Sequence, residues 1–350
     1  MAKEYLTLKL DNEIIVSPPK RMSLSLDLDN QWSYMKTHGN AGWKDFPSYL
    51  DTAVPRILEF LERRDIKITF FIVGQDAALA KNAEALAQLS AAGHEIANHS
   101  FHHEPWLHLY TPEQLDDELQ RAEDAIEKVT GVRVNGFRGP GFSLSTATLN
   151  ALVKRNYAYD ATAFPNILNP FARAYFFHKS QLTDEQKEQR KALFGTFSDA
   201  RRPVKPYRWD LGETKLLELP VTTMPIFKTP IHFSYLVYLA SYSASISRLY
   251  THMTNSMCRL TNTEPSLLLH PLDFLGKEDK TSLEFFPAMN MATDRKLELM
   301  DMFFDVFQKR FTPVPIGEFL STIDASKTIP MFKPAFAQDQ TEFQHIPGRD

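Results

Sequence analysis

The sequence predicts an α/β fold with a mostly parallel sheet, because short apolar runs alternate with helical patterns through the first 160 residues. Strand–helix–strand units join parallel strands and pack their helices outside the sheet. The alternation is clearest in the buried strand 66–73 (IKITFFIV), the alanine-rich helix 77–91 that Gly93 ends, and the strand 94–98 (HEIAN). Functional side chains in such folds gather where the strands end. We therefore expect the site directly after predicted strands.

The other elements follow the same rules. A strand is predicted over 22–28, and a helix over 49–63, where apolar residues recur at helical spacing. Thr111 and Pro112 begin a helix with an N-cap residue and a proline at the first position, and Gly131 ends it. The remaining predictions are strands 135–138, 157–160, 215–221, 266–270 and 313–316, and helices 145–155 and 293–310.

Composition excludes several classes of protein. Hydrophobic residues make up 43% of the 350 residues, which excludes wholesale disorder, collagen and coiled coil. A net charge of −4 argues against nucleic acid as the main partner. The single cysteine, Cys258, can form neither an intrachain disulfide nor a cysteine-rich zinc module. The opening residues MAKEYLTLKLDNEIIV carry charges and do not form a signal-peptide pattern, so we expect a cytoplasmic protein.

One segment has unusually little charge. Residues 229–247 contain no Asp, Glu, Lys or Arg over a length close to the minimum for a membrane span. Pro230, His232 and several serines and tyrosines make the segment unevenly apolar. We expect a buried or interface-facing helix here; a lid that touches lipid and a membrane span are the alternatives.

Acidic and histidine side chains follow three of the predicted strands. Asp27 and Asp29 lie in SLDLDN, His99 and His103 in HSFHH, and His270 ends SLLLH. One carboxylate and two imidazoles that meet on one rim can hold a divalent metal with a position open for water. Two carboxylates at close range repel each other unless a cation separates their roles, so one would bind metal and the other act as a base.

The order of these motifs resembles the polysaccharide deacetylase family, also called the NodB-homology or family 4 carbohydrate esterase family, over about residues 20–275. The fold implied is a distorted (β/α)7-type barrel. We expect a single domain over 21–325, with insertions at about 161–215 and 225–262. Residues 1–20 would form an N-terminal extension, and 326–350 a C-terminal tail that is polar and loose beyond about 335.

The resemblance also implies the roles of the site residues. Asp27 would be the general base, and Asp29, His99 and His103 the ligands of a divalent metal, with zinc as the default. In FRGPGFS, Arg138 would orient the catalytic aspartate, and the backbone near Pro140 and Gly141 would face the oxyanion. His270 would be the general acid. The supporting and substrate-binding candidates are Asp160 in YAYDAT and Trp106.

The activity implied is hydrolysis of an N-acetyl or N-formyl amide on a sugar, in a cytoplasmic glycan or lipid-linked precursor that the charge-poor segment 229–247 could bring to a membrane. The alternatives are hydrolysis of a small non-sugar amide, as in allantoinase-like relatives, and a non-catalytic carbohydrate-binding barrel. A two-histidine, one-carboxylate set also occurs in ferrous oxygenases. His102 competes with His103 as a ligand, while Trp32, Trp43 and Trp106 either stack on sugar or pack in the core. Oligomeric state stays open.

Overall fold

The computed structural model describes residues 7–10, 13–16, 20–168, 182–183, 187, 199–279, 281–323 and 329–336. The strands are β1 Thr7–Leu10, β2 Glu13–Val16, β3 Lys20–Asp27, β4 Thr69–Ile72, β5 Glu95–Asn98, β6 Gly136–Phe137, β7 Tyr159–Asp160, β8 Tyr207–Asp210, β9 Lys215–Glu218, β10 Ser266–Leu269, β11 Phe311–Val314 and β12 Met331–Phe332. The α-helices are α1 Gln31–His38, α2 Leu50–Glu62, α3 Gly74–Ala78, α4 Ala83–Ala91, α5 Pro112–Thr130, α6 Thr146–Lys154, α7 Phe233–Tyr242, α8 Ala244–Leu260, α9 Thr293–Gln308 and α10 Ile316–Ser321.

The central sheet confirms the predicted α/β class. A run of parallel strands follows the order β10, β3, β4, β5, β6, β7, β9. At one end β8 pairs antiparallel with β9, and β12 pairs with β8; β11 pairs with the first half of β3. β1 and β2 form a separate hairpin.

The two ends of the parallel run approach each other, as expected for a distorted (β/α) barrel. Thr222, just beyond β9, donates its backbone N–H to the carbonyl oxygen of Ser266 in β10, 2.9 Å away. The Ser266 N–H donates to Thr222 Oγ1 at 2.8 Å. These hydrogen bonds join the sheet ends without a continuous strand ladder.

The alternation of side chains along β3 separates an apolar outer layer from a polar interior. Met22, Leu24 and Leu26 belong to the main hydrophobic cluster under the helices. The intervening Ser25 and Asp27 point to the other face, where both contact Arg138. This strand therefore delivers Asp27 to the site while its neighbouring residues anchor the core.

Several predicted elements are confirmed with small changes at their ends. Helix α5 begins at Pro112 with a capping box between Thr111 and Gln114, and Gly131 ends it with φ of 69°. The last predicted strand lies two residues earlier than expected, because Ile316 already begins α10.

The predicted helix 77–91 is two helices. Leu79 adopts an extended backbone (φ −89°, ψ 116°) between α3 and α4. Asn82 donates its side-chain amide to the backbone oxygen and the carboxylate of Asp76. Such local side-chain bonds compete with the helical backbone, which explains the break.

Parts of two sequence predictions lie outside the described residues. Of the predicted insertion at about 161–215, residues 169–181, 184–186 and 188–198 lie outside the described part of the chain. Of the tail beyond 335, only Phe336 is described, and it is buried.

The charge-poor segment contains α7 and the start of α8. Phe233, Leu236 and Val237 of α7 are buried, as expected for a helix that packs on the domain. Among the residues that the structure describes, no helix has both the length and the apolar character needed to cross a bilayer.

Candidate metal centre

Asp29, His99 and His103 meet at one point on the rim of the sheet. His103 Nε2 lies 2.8 Å from Asp29 Oδ1, and His99 Nε2 lies 3.3 Å from the same oxygen. One ligand atom from each residue falls within 4.8 Å of the others. All three residues are buried, so this is a compact set of one oxygen and two nitrogens with little access to solvent.

The loop after β5 is held in a strained shape that presents both histidines. Ser100 and His103 have positive φ angles of 63° and 52°, which residues other than glycine seldom adopt. Asn98 Oδ1 accepts the Ser100 N–H at 2.8 Å, and Ser100 Oγ accepts the His103 N–H at 3.2 Å. These bonds stabilise the conformation that directs His103 towards Asp29.

Glu118 of α5 binds His102 but not the adjacent His103. Its carboxylate accepts the backbone N–H groups of Phe101 and His102 and lies 2.6 Å from His102 Nδ1. His102 is thus engaged with Glu118, while His103 faces Asp29. Of the two histidines, His103 is the one placed for a metal.

The second nitrogen of His99 has its own partner. His99 Nδ1 lies 2.7 Å from the carbonyl oxygen of Arg138, which can only accept, so Nδ1 carries the proton. When the ring is neutral, its Nε2 lone pair faces Asp29, which is the usual arrangement of a metal-bound histidine. Burial lowers the pKa of His99, but the charges of Asp27 and Asp29 outweigh it and raise the pKa.

The charge of the cluster also points to a cation. Burial alone would raise the pKa of Asp29, yet His103 and His99 hold that pKa well below its usual range. Two ligands of a tetrahedral zinc, each at about 2.0–2.1 Å, lie about 3.4 Å apart. The His99–Asp29 distance of 3.3 Å matches that spacing, and the His103–Asp29 distance of 2.8 Å is shorter. One carboxylate and two imidazoles within 4.8 Å of one another are a donor set that suits a divalent metal.

Asp27 lies next to this cluster in a bond with Arg138. Arg138 Nη1 donates to Asp27 Oδ1 at 2.6 Å and to Ser25 Oγ at 2.9 Å. The guanidinium is fully buried, lies over the Phe71 ring at 4.2 Å, and donates through Nε to the Ala161 carbonyl. Its orientation is therefore fixed on several sides, and it fixes the Asp27 carboxyl in turn.

Asp160 lies in the barrel interior with a partner that the sequence reasoning missed. Asp160 Oδ1 accepts from Thr162 Oγ1, while Glu218 accepts from the Ala163 N–H and from Trp209 Nε1. Burial raises the pKa of both carboxyls, and the charge of Asp160 raises that of Glu218 further. Two buried carboxyls at such close range resist ionising together.

His270 follows β10 and is half-buried. Its Nδ1 lies 2.9 Å from Ser234 Oγ at the start of α7, and its backbone N–H donates to Asp273 Oδ2 at 2.8 Å. The ring is therefore held through Nδ1, which leaves Nε2 for a substrate. Ser234 is a second contact that no local pattern indicated.

Gly141, Pro140 and Trp106 are the residues predicted to contact the oxyanion or the substrate. Gly141 has a φ of 60°, and its N–H donates no hydrogen bond within the described part of the chain. Pro140 is buried in the same turn. Trp106 is half-buried and packs on an outer hydrophobic cluster that includes Leu107. Its proposed contact with sugar remains a prediction.

A buried network lies behind the metal cluster. Asp76 Oδ1 accepts from the side chains of Asn30, Trp32 and Asn82 at 2.7, 2.9 and 3.0 Å. Trp32 is almost fully buried, with its ring 6.4 Å from that of His103, so it packs in the core. Burial raises the pKa of Asp76 to about 7.

The metal-free Asp76→Asn variant is expected to gain stability over the wild type as the pH rises from 4 to 8. The native pKa of Asp76, about 7, exceeds its unfolded value, so ionisation favours unfolding through this window. Asparagine does not ionise and retains an oxygen for the three donors. The gain should reach about 4 kcal/mol by pH 8, because the native pKa lies about three units above the unfolded value. Urea unfolding with chelator present measures it. A difference that does not change with pH would contradict the raised pKa.

Fold and cluster together define an α/β protein with a two-histidine, one-aspartate site at the carboxyl ends of parallel strands. Residues 41–159 match the family model described as polysaccharide deacetylase. This segment includes His99, His103 and Arg138. The resemblance seen in the sequence motifs is thereby confirmed.

Individual relatives agree with this family. Peptidoglycan deacetylase of Helicobacter pylori is 25% identical over 140 residues, which are 38% of this chain and 47% of that protein. The Bacillus subtilis peptidoglycan-N-acetylmuramic acid deacetylase PdaA is 33% identical over 92 residues, 26% of this chain and 34% of PdaA. The chain therefore matches less than half the length of these relatives.

A solved structure supports the fold over a longer range. A crystal structure from Mycobacterium smegmatis, of a protein assigned to the polysaccharide deacetylases, superposes with a TM-score of 0.56 at 18% identity. The match covers 92% of this chain and 97% of that one. At this identity the likeness shows the shared architecture alone.

Proposed function

We propose that this protein hydrolyses the N-acetyl or N-formyl amide of a sugar in a glycan or a lipid-linked saccharide. The observation that carries the proposal is the meeting of Asp29, His99 and His103 beside the Asp27–Arg138 pair. The relatives named above are deacetylases of peptidoglycan, which supports a glycan as the substrate. Cytoplasmic location remains our expectation.

Asp29, His99 and His103 would hold the divalent metal, with zinc as the first choice. When bound, such an ion acts as a Lewis acid and lowers the pKa of a water ligand. Arg138 donates to Oδ1 of Asp27, and within the described part of the chain no hydrogen bond reaches the second carboxylate oxygen, which could accept a proton from water. This places the base at a fixed orientation next to the ligands.

His270 would protonate the departing amine through Nε2, since its Nδ1 is held by Ser234. The Gly141 N–H, which donates no hydrogen bond among the described residues, would donate to the oxyanion of the tetrahedral intermediate. Tyr34 is a further candidate donor, because its hydroxyl interacts with the charges of Asp29 and Asp27. Its hydroxyl is buried without a hydrogen-bond partner among the described residues, and burial together with the charge of Asp29 raises its pKa, so it stays protonated.

The test is release of acetate or formate from a panel of N-acylated sugars, oligosaccharides and lipid-linked saccharides, with metal-free and zinc-loaded protein. We expect release that requires metal and depends on the saccharide. Hydrolysis of small non-sugar amides such as allantoin in place of saccharides would favour the alternative substrate class. Saccharide binding without any hydrolysis would favour the non-catalytic barrel. Either result would overturn the proposal.

A further inference from the structure

Helix α8 has its apolar and polar faces reversed relative to a helix on a soluble domain. Its buried residues are mostly small and polar: Ser247, Thr251, Thr254, Asn255 and Cys258. Its outer side and the end of α7 carry large apolar residues, each 46–75% exposed: Tyr242, Ile246, Leu249, Met253 and Leu260. Soluble domains normally bury the apolar side of a surface helix.

The exposed residues form one continuous stripe. Ile246, Leu249, Met253 and Leu260 of α8 are spaced three, four and seven residues apart, which places them on the same side of the helix axis. Tyr242, at the end of the preceding helix α7, is exposed next to them in the chain. The inner face is held in place, because Ser247 donates to the Leu236 carbonyl and Asn255 donates to the Val306 carbonyl. The stripe is therefore a fixed outward surface of the folded domain, which we call the α8 face.

The sequence segment that carries the α8 face has charges of a single sign. Residues 219–263 contain no Asp or Glu, although the whole chain has a net charge of −4. Arg248, His252 and Arg259 are exposed on α8, and no ion pair reaches them within the described parts of the chain. An exposed apolar stripe flanked by arginine is typical of helices that lie in a membrane interface.

We propose that the α8 face docks the protein on an anionic lipid bilayer, with Ile246, Leu249 and Met253 inserted between headgroups. Arg248 and Arg259 would pair with the lipid phosphates. A second copy of this chain is the less favourable occupant, because two such faces would bring arginines together while residues 219–263 supply no carboxylate to pair with them. The proposed membrane contact therefore covers residues 242–260, whereas the sequence alone pointed to residues 229–247.

The position of this face matters for the site. Ser234, in the first turn of α7, contacts His270, and the same helix ends at Tyr242 on the α8 face. Docking would bring the rim that holds His270 close to a membrane surface. This consequence for a lipid-linked saccharide rests on the proposed function, whereas the docking itself does not.

The test is flotation of the full-length chain with vesicles of phosphatidylcholine alone and with one-third phosphatidylglycerol. We expect flotation with the anionic vesicles only, and at least a tenfold drop in the bound fraction for Ile246→Glu with Leu249→Glu. Arg248→Gln with Arg259→Gln should weaken binding and reduce its salt dependence. Met331→Glu is the matched control, because Met331 is 52% exposed but lies on β12.

Circular dichroism establishes that each variant is folded, and acetate release from a water-soluble saccharide is measured in parallel. Unchanged release with lost flotation supports docking separately from catalysis, and flotation by a protein without activity refutes the proposed function alone. Absence of flotation by the wild type overturns docking. Docking is also overturned if the wild type is a dimer and Ile246→Glu with Leu249→Glu converts it to a monomer. That result would show that a second copy covers the α8 face.

Discussion

Asp27→Asn should lower kcat for amide hydrolysis by about 10²–10⁴ while metal binding stays stoichiometric. Asparagine keeps the volume of the side chain and an oxygen for Arg138, which lies 2.6 Å from Asp27 Oδ1. It removes the capacity to accept a proton. The measurement pairs steady-state kinetics with metal content determined on the same preparation.

The two readouts separate a base from a ligand. A variant that lost its metal would show that Asp27 belongs to the coordination set, contrary to the geometry around Asp29. A decrease in kcat of less than tenfold would show that another group accepts the proton. His270→Ala should give a decrease of the same order with the metal retained, because His270 acts on the leaving group.

Asp29→Asn should weaken zinc binding by at least 100-fold and abolish hydrolysis at ordinary zinc concentrations. Changes to residues that only orient metal ligands typically cost 10–100-fold, so loss of the ligand charge itself should cost more. Asp29 Oδ1 is the atom that approaches both His99 and His103, at 3.3 and 2.8 Å. Competition against a chromophoric chelator measures the affinity directly.

His102→Gln is the matched control for this loss. His102 neighbours His103 in sequence but lies against Glu118. Its replacement should leave zinc affinity within a few-fold of the wild type. Equal losses in Asp29→Asn and His102→Gln would show that the ion lies on the His102 side of the loop.

The part of the site that could be predicted from sequence is the part that lies at strand ends. Asp29 and His99 directly follow apolar strands, so the topology of a parallel sheet brings them to one rim. The spacing of HSFHH favoured His103 over His102, in agreement with the contacts made by Glu118. Helix α5 could be predicted because its start and end depend on neighbouring residues.

The rest depends on contacts between distant residues. Glu218 approaches Asp160 from a strand far along the chain, and Ser234 lies 36 residues from His270. Nothing local in LELPV or HFSYL indicates these partners. The break between α3 and α4 was missed because alanine-rich sequence favours a helix, while Asn82 bonds to Asp76.

The α8 face could be predicted only in part from the sequence. The charge-poor segment identified from the sequence ends at residue 247, because Arg248 is charged. The exposed stripe continues to Leu260, and it can be recognised only when the buried side is known to be Ser247, Thr251 and Asn255. Sequence identifies an unusual region, whereas burial assigns its two faces.

The central claim is that Asp29, His99 and His103 bind one metal ion, and anomalous diffraction at the metal edge from zinc-loaded crystals tests it most directly. We predict a single strong peak about 2.0–2.2 Å from an Asp29 carboxylate oxygen and from Nε2 of both histidines. A peak bound elsewhere, such as between His102 and Glu118, or no peak at these three residues in fully loaded protein, would contradict the account.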